Sequence, residues 1–248
     1  MPNWVKTIVK TKPDVLKDVL EKYSNEEGFS FNKVIPMPKE LEVEKSSRGE
    51  EGLMYLFLEN DNGISKEKIN KVYRSLNPFH SDIYREERFQ KLAKKYDENK
   101  DKLEYNESIK IAKQYISNHD KYGHADWYEW CCDKWGTKWD LSGFDHNNDT
   151  MVFETAWGFA GNVILELSRQ YPETVFECRF ADEGIQENSG ILKIRDGDVL
   201  EERYNLSQRS INKIWDYYVE QEQKENSINN FTSPIKEEKQ EIEMELEY

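Results

Sequence analysis

The sequence predicts an α+β fold in which two β-α-β units form one antiparallel sheet, with a helical insertion between the units and a helix after them. Near the start of the chain, alternating apolar and polar residues flank a stretch with apolar residues at helical spacing. The same order recurs after residue 150, and residues 65–120 between the two units carry a polar helical pattern. We therefore predict one α+β domain over 1–224 and an acidic, disordered tail over 225–248.

The first predicted unit begins with a strand at 3–11, where apolar and polar side chains alternate. Pro13 then opens a helix, because proline is tolerated in a first turn where its missing N–H costs nothing. The residues Asn25 to Gly28 end this helix, and 29–36 form the next predicted strand. Residues 39–52 are charged and contain glycine, so we predict a loop there.

The helical insertion is predicted from three narrow apolar stripes within 65–120, each at helical spacing. Their wide polar faces predict helices that pack on one another and leave much of their surface in water. The three stripes are Ile69, Val72, Tyr73 and Leu76; then Ile83, Phe89, Leu92, Ala93 and Tyr96; and then Ile109, Ala112, Tyr115 and Ile116.

The second predicted unit follows a turn at 145–149 and consists of a strand at 150–157, a helix at 159–171 and a strand at 174–181. Asp196 and Gly197 then separate two strand-like runs, which is a strong hairpin signal. A last helix is predicted over Ser207–Glu222, with Ile211, Ile214, Trp215, Tyr218 and Val219 as its apolar stripe. Two β-α-β units separated in sequence are what a ferredoxin-like fold requires.

The net charge of -14 restricts the classes of partner. Nine glutamates and three lysines lie between Glu220 and Tyr248, so a large part of the excess is at the C-terminus. An acidic protein repels nucleic acid backbones, and we expect no direct nucleic acid binding. Two interpretations stay open: the charge serves solubility, or its carboxylates imitate a nucleic acid. The first residues lack a long apolar run, which predicts a protein of the cytoplasm without a membrane anchor.

A tryptophan-rich segment, Trp127 to Gly143, holds four of the seven tryptophans and two of the three cysteines. Gly136 and the WGTKWD string favour a loop. The segment is either a structural plug or an aromatic recognition surface, since tryptophan is enriched in binding hot spots. A platform for base stacking fits the charge less well. The candidate binding residues are Trp127, Trp130, Trp135, Lys138, Trp139, Asp140 and Trp157.

The cysteines and histidines near this segment have the residue types of a metal site or a catalytic site. His119, His124, Cys131, Cys132 and His146 fall close together but lack the paired spacing of a zinc site. A cysteine nucleophile with His124 or His146 has the right residue types and no recognised signature. We assign no catalytic residue, metal or cofactor, and we expect reduced thiols.

Several strings resemble the YubB-type ferredoxin-like family of phage and plasmid proteins. They include PMPxEL at 36–41, WGTKWD at 135–140, FxTxW at 153–157 and FxDEG at 180–184. Such proteins usually have Pro-Pro after the tryptophan of FxTxW, whereas Gly158 and Phe159 follow it here. The resemblance implies a ferredoxin-like fold and a phage or mobile-element origin. It supplies no site, because the family has no settled activity.

The hypothesis drawn from these observations is a protein that binds and interferes with a host protein in the host cytoplasm. A nucleic-acid-handling defence complex, of the kind that anti-CRISPR and anti-restriction proteins block, is the expected class of partner. The alternatives are an enzyme that uses the Cys/His neighbourhood and a structural or oligomerising phage component. The sequence leaves the oligomeric state open.

Overall fold

The computed structural model describes residues 2–59, 63–94, 96–100 and 102–217. Within them the chain forms two compact units, one from residues 2–18, 142–159 and 168–217, the other from the described residues of 19–141 and from 160–167. The predicted tail, 225–248, lies outside the described residues, as do Tyr218 and Val219 of the last predicted helix. No described helix has both the length and the apolarity that crossing a membrane requires.

The strands and helices follow a regular order along the chain. The strands are β1 (Trp4–Lys10), β2 (Ser24–Asn25), β3 (Gly28–Phe29), β4 (Ser142–His146), β5 (Thr150–Ala156), β6 (Phe176–Asp182), β7 (Ser189–Arg195) and β8 (Asp198–Tyr204). The helices are α1 (Pro13–Tyr23), α2 (Phe31–Val34), α3 (Ser47–Leu58), α4 (Lys66–Leu76), α5 (Asp82–Ala93), α6 (Tyr96–Asn99), α7 (Leu103–Tyr122), α8 (Trp127–Lys134), α9 (Gly161–Gln170) and α10 (Gln208–Trp215).

The first unit contains a six-stranded antiparallel sheet in the order β4-β5-β1-β6-β7-β8. β5 and β6 both pair with β1, so the β5-α9-β6 connection is split by the first strand. β4 lies beyond β5, which makes β1-α1-β4 the other split unit. The order β4-β5-β1-β6 with these connections is the ferredoxin-like arrangement. The predicted fold class is therefore confirmed, and the β7–β8 hairpin extends the sheet.

The position of the second ferredoxin-like strand was predicted wrongly. Residues 29–36 do not join the main sheet: Gly28 and Phe29 pair with Ser24 and Asn25, and Phe31–Val34 is the short helix α2. The strand that completes the first split unit is β4, and residues 24–141 separate it from α1. Local alternation of apolar residues suggested a strand at 29–36. In the structure the Asp140 carboxylate accepts hydrogen bonds from the Phe31 and Asn32 N–H groups, which stabilises a helical turn there.

Two predicted loops are also helices. Residues 47–58, within and beyond the predicted loop 39–52, form α3, and the Ser46 hydroxyl accepts a hydrogen bond from the Gly49 N–H at 3.1 Å. Residues 127–134, the first half of the tryptophan-rich segment, form α8. The predicted turn at 145–149 begins later than expected, because β4 continues to His146.

The remaining predicted elements are confirmed with small shifts of their ends. Helices α4, α5 and α7 occupy the predicted helical stretch, and the stripes of α4 and α7 are largely buried. The stripe of α5 is not, since Ile83 is largely exposed and no residue of that helix is fully buried. In the β7–β8 hairpin, Asp196 and Gly197 have φ of 50° and 79°, as a type I′ turn requires.

Each unit has its own apolar cluster. In the first unit, which we call the sheet unit, Ile211 and Ile214 of α10 pack with Ile8 of β1, Val152 of β5 and Ala181 of β6. In the second unit, the helical unit, the buried apolar residues come from α3, α4 and α7 and from Ala125, two residues before α8; they are Leu53, Met54, Leu56, Ile69, Val72, Tyr73, Leu76, Ala112, Tyr115, Ile116 and Ala125. Burial of these side chains is the main stabilising contribution to each unit.

Candidate functional site

Helix α8 begins at a reciprocal cap formed by Asp126 and Glu129. The Asp126 carboxylate accepts a hydrogen bond from the Glu129 N–H at 3.0 Å, and the Glu129 carboxylate accepts one from the Ala125 N–H at 2.8 Å. This capping box satisfies two backbone donors at the helix start. The sequence carries this pattern as D-x-x-E at 126–129, although Gly136 and the WGTKWD string favoured a loop for the segment.

Trp130 and Trp135 are structural. Both are buried, and their rings pack edge to face at 5.6 Å. The Trp135 ring also contacts Phe31 edge to face at 6.1 Å, and its N–H donates to the Ile35 carbonyl at 3.0 Å. A buried indole needs such a partner for its single donor. These two candidate residues therefore hold α8 and α2 together and offer little surface to a partner.

The Asp140 carboxylate also stabilises the fold through hydrogen bonds. One carboxylate oxygen accepts hydrogen bonds from the N–H groups of Phe31 at 2.8 Å and Leu141 at 2.9 Å. The other accepts from the Ser30 hydroxyl at 2.7 Å and the Asn32 N–H at 3.4 Å. Ser30 is the N-cap residue of α2 but makes no side-chain cap of its own, so Asp140 caps this helix from the far end of the segment.

The aromatic groove, as we call it, is an open depression of about 470 Å³ in the helical unit. It is lined by ten residues from the 32–44 stretch and the tryptophan-rich segment: Asn32, Met37, Glu42, Glu44, Trp127, Cys131, Trp135, Lys138, Trp139 and Asp140. Five of the seven candidate binding residues are therefore brought to one surface. Its volume lies within the range of small-molecule and side-chain binding sites.

Trp139 and Lys138 form the exposed part of this groove. The Trp139 side chain is 39 % exposed, and the Lys138 ammonium lies 4.1 Å from the centre of its ring. The same ammonium lies 5.8 Å from the Tyr128 ring. These are cation–π distances, so the indole face already attracts a positive charge. Trp127, half-buried in the first turn of α8, is the other accessible indole of the groove.

Trp157 does not line the aromatic groove. It lies in the sheet unit, directly after β5, and has a φ of 69°, which is rare for a residue with a side chain. Its N–H donates to the Asn3 carbonyl at 2.9 Å, and its carbonyl accepts from the Asn188 side chain at 3.0 Å. These bonds hold the backbone in its strained conformation, while Trp157 itself is 47 % exposed, so its indole is an accessible surface separate from the groove.

The cysteines are poorly placed for nucleophilic catalysis. Burial raises the pKa of the Cys131 thiol to about 12, and its sulfur contacts the Met37 sulfur at 3.8 Å. Burial also raises the pKa of Cys132 and of Cys178, and all three thiols are free. A reactive cysteine needs a lowered pKa. The environment of these thiols therefore disfavours the thiolate.

The candidate histidines have different surroundings. His124 contacts the Asp133 carboxylate at 3.1 Å, while burial and then nearby Lys71 lower the pKa of His119. His146 lies on β4 in the other unit. Among the described residues, no three His, Cys, Asp or Glu side chains are close enough together to hold a metal ion.

Two groove residues were not singled out in the sequence. Glu42 and Glu44 follow a single turn of 3₁₀ helix at Lys39–Leu41 and are exposed. They lie in a charged stretch that has no motif, and about 90 residues separate them from the tryptophans. No local signal could have placed them in one groove with Trp139, because only the tertiary packing of α2, α8 and the segments after them brings these residues together.

Comparison with known proteins identifies the domain but no activity. Residues 134–232 match a family model described as a ferredoxin-like domain in Api92-like protein. This match agrees with the strand order of the sheet, and the chain thus contains a ferredoxin-like domain. The matched range begins at the end of α8 and includes Trp135, Lys138, Trp139, Asp140 and Trp157.

The comparison with solved structures gave one match. It is the crystal structure of the protein api92 from Yersinia pseudotuberculosis, 8% identical, with a TM-score of 0.36 over 84% of this chain and 99% of that one. A search of curated proteins gave no match.

Proposed function

We propose that this protein acts by binding and interfering with a host protein rather than by catalysing a reaction, and that the aromatic groove is its contact surface. The observation that carries the proposal is the pairing of an exposed indole, Trp139, with charged groups on one open surface. Tryptophan is enriched in binding hot spots, so an accessible indole beside charged groups suits recognition of a partner.

The thiols and the Asp140 carboxylate of the helical unit favour binding over catalysis. Burial keeps the Cys131 and Cys132 thiols protonated, and the Asp140 carboxylate is saturated by hydrogen bonds from the backbone and from Ser30. A catalytic group needs a tuned pKa and a free position toward the substrate. The groups of the groove that face outward, Trp139 and the two exposed glutamates, are suited to recognition.

The origin of the protein and the class of its target are part of this proposal. The resemblance to the YubB-type family of phage and plasmid proteins favours a phage or mobile-element origin, with action in the host cytoplasm. The net charge of -14 suits a target whose surface is basic. Proteins that handle nucleic acids have such surfaces, and a restriction or CRISPR complex is the target class that we propose.

Phage plating tests this function directly. The protein is expressed in restriction-proficient and CRISPR-proficient cells, and the efficiency of plating of a targeted phage is compared with that in empty-vector cells. We expect a rise of at least about tenfold in one of the defence backgrounds, lost in the Trp127→Ala/Trp139→Ala double variant. Phe79→Ala, which removes an almost fully exposed aromatic ring outside the groove, is the matched control and should keep the effect. Unchanged plating in every background contradicts the proposal.

A further inference from the structure

We infer that the aromatic groove recognises an arginine side chain presented by a basic segment of a partner protein. This inference rests on the proposed function and adds the chemistry of what is bound. It follows from three features of the groove: the indole faces, the balance of charge among the lining residues and the position of Lys138.

The indole faces supply the attraction for a cation. The ammonium of Lys138 lies 4.1 Å from the centre of the Trp139 ring, so this face already holds a positive charge within the chain itself. Tryptophan gives the strongest cation–π attraction of the aromatic residues. Trp127 contributes a second indole to the lining. A guanidinium that enters the groove would therefore meet aromatic surface.

The charge of the lining favours a cation over an anion. Three carboxylates, Glu42, Glu44 and Asp140, line the groove with one ammonium, Lys138. Hydrogen bonds from Ser30, Phe31, Asn32 and Leu141 occupy the Asp140 carboxylate. Glu42 and Glu44 are exposed, and neither carboxylate has an ion-pair partner among the described residues. These two groups are available to a ligand and would repel phosphate.

Arginine fits this combination better than lysine does. The guanidinium is flat, so it stacks on an indole while its edge donates two parallel hydrogen bonds to a carboxylate. A lysine ammonium is a strongly hydrated point charge that gives up more to enter such a site. The groove of about 470 Å³ also exceeds a single side chain, so it accepts the arginine together with neighbouring residues of its segment.

Lys138 provides an unusual way to test the assignment. Its ammonium occupies the Trp139 face and repels an incoming cation, so the Lys138→Met variant should bind an arginine peptide more tightly than the unaltered protein. If the groove instead bound nucleic acid, loss of this ammonium would weaken binding. The direction of this one change therefore separates the two classes of ligand.

The experiment measures binding of fluorescein-labelled Gly-Arg-Arg-Gly-Arg-Gly peptide to the full chain by anisotropy, with the lysine and glutamate versions of the peptide and a single-stranded oligonucleotide as competitors. We expect the arginine peptide to bind best, with affinity reduced about tenfold by Trp139→Ala, since one cation–π contact is worth on the order of 1–2 kcal/mol. Glu42→Gln/Glu44→Gln should reduce it similarly, and Lys138→Met should increase it severalfold.

The matched control is Glu26→Gln/Glu27→Gln, which makes the same change of charge at two exposed glutamates outside the groove lining. The inference is overturned if this control weakens binding as much as Glu42→Gln/Glu44→Gln does, if Lys138→Met weakens binding, or if no arginine peptide binds. Circular dichroism of each variant checks that the exposed substitutions leave the fold intact.

The plating assay separates failure of the arginine inference from failure of the proposed function. Protection that depends on Trp127 and Trp139, without arginine-peptide binding, would refute the inference and keep the function. Arginine-peptide binding without protection in any defence background would refute the proposed function and keep the binding chemistry of the groove.

Discussion

The Asp140 carboxylate accepts a hydrogen bond from the Phe31 N–H at 2.8 Å, across 109 positions of sequence. With its bonds to Ser30 and Asn32, it supplies the N-terminal cap that α2 lacks locally. Because Asp140 directly follows Trp139, the cap also fixes the segment that carries the exposed indole of the groove. One carboxylate thus links the short helix to the candidate binding surface.

Asp140→Ala should destabilise the helical unit. The substitution leaves the Phe31, Asn32 and Leu141 N–H groups without their acceptor, and we expect a loss of about 2–3 kcal/mol in the free energy of unfolding. Urea unfolding followed by tryptophan fluorescence measures the loss. Glu173→Ala, an exposed carboxylate in the loop before β6, is the control and should change little. Equal stability of the two variants would show that the cap contributes nothing.

Asp126 predicts a pH-dependent stability. Its side chain is fully buried, one carboxylate oxygen has no hydrogen-bond partner among the described residues, and burial raises the pKa to about 6 from an ordinary 3.8. The folded protein therefore holds this proton more tightly than the unfolded chain does. The contribution of Asp126 to the free energy of unfolding falls as the pH rises from about 4 to about 6, and stays low above that.

The variant Asp126→Asn isolates this contribution, because asparagine is an equally good N-cap and does not titrate. We expect it to be more stable than the unaltered protein at pH 7.5, by on the order of 1–2 kcal/mol, and to lose that advantage near pH 4. Urea midpoints at pH 4, 6 and 7.5 measure the difference. A difference that is constant across the three pH values would mean that Asp126 does not titrate in this range.

Gly52 is expected to tolerate no side chain. A Cβ at this position of α3 would collide with the Ser108 carbonyl oxygen and crowd the Ala112 side chain of α7. Gly52→Ala should cost about 2–3 kcal/mol by overpacking, although alanine is the better helix former. Ser47→Ala, on an exposed position of the same helix, serves as the control in urea unfolding. A stabilised Gly52→Ala variant would show that the two helices can separate without cost.

The three thiols should differ in reactivity. Cys131 and Cys178 are buried, and burial raises their pKa values; Cys132 is exposed, and partial desolvation of its thiol still raises its pKa. We expect iodoacetamide to label Cys132 alone in the folded protein, and slowly at pH 7, because the thiolate is the reactive form. Mass spectrometry after labelling with and without denaturant gives the sites. Fast labelling of Cys131 in the folded protein would contradict its burial.

Part of the candidate site could be predicted from the sequence. The cluster of tryptophans marked the right segment, and Trp127, Lys138 and Trp139 do line one open groove. Residue type alone could not tell which indoles are buried, and Trp130 and Trp135 proved to be packing residues. Trp157 was included because of its motif, yet its backbone bonds place it in the sheet unit, and the glutamates Glu42 and Glu44 carried no signal at all.

The sequence by itself determined the elements whose signal is local. Alternating apolar residues specify β1, β5 and β6, helical spacing specifies α1, α4, α7 and α9, and Asp196-Gly197 specifies the hairpin, because side-chain periodicity and turn chemistry act between neighbours. The tertiary structure alone decided that 31–34 are helical, that β4 completes the split unit, and that Trp139, Glu42 and Glu44 line one groove. The helical turn and the groove depend on contacts between residues about 100 positions apart, and the place of β4 depends on how β5 pairs with β1, so local sequence preferences do not encode these outcomes.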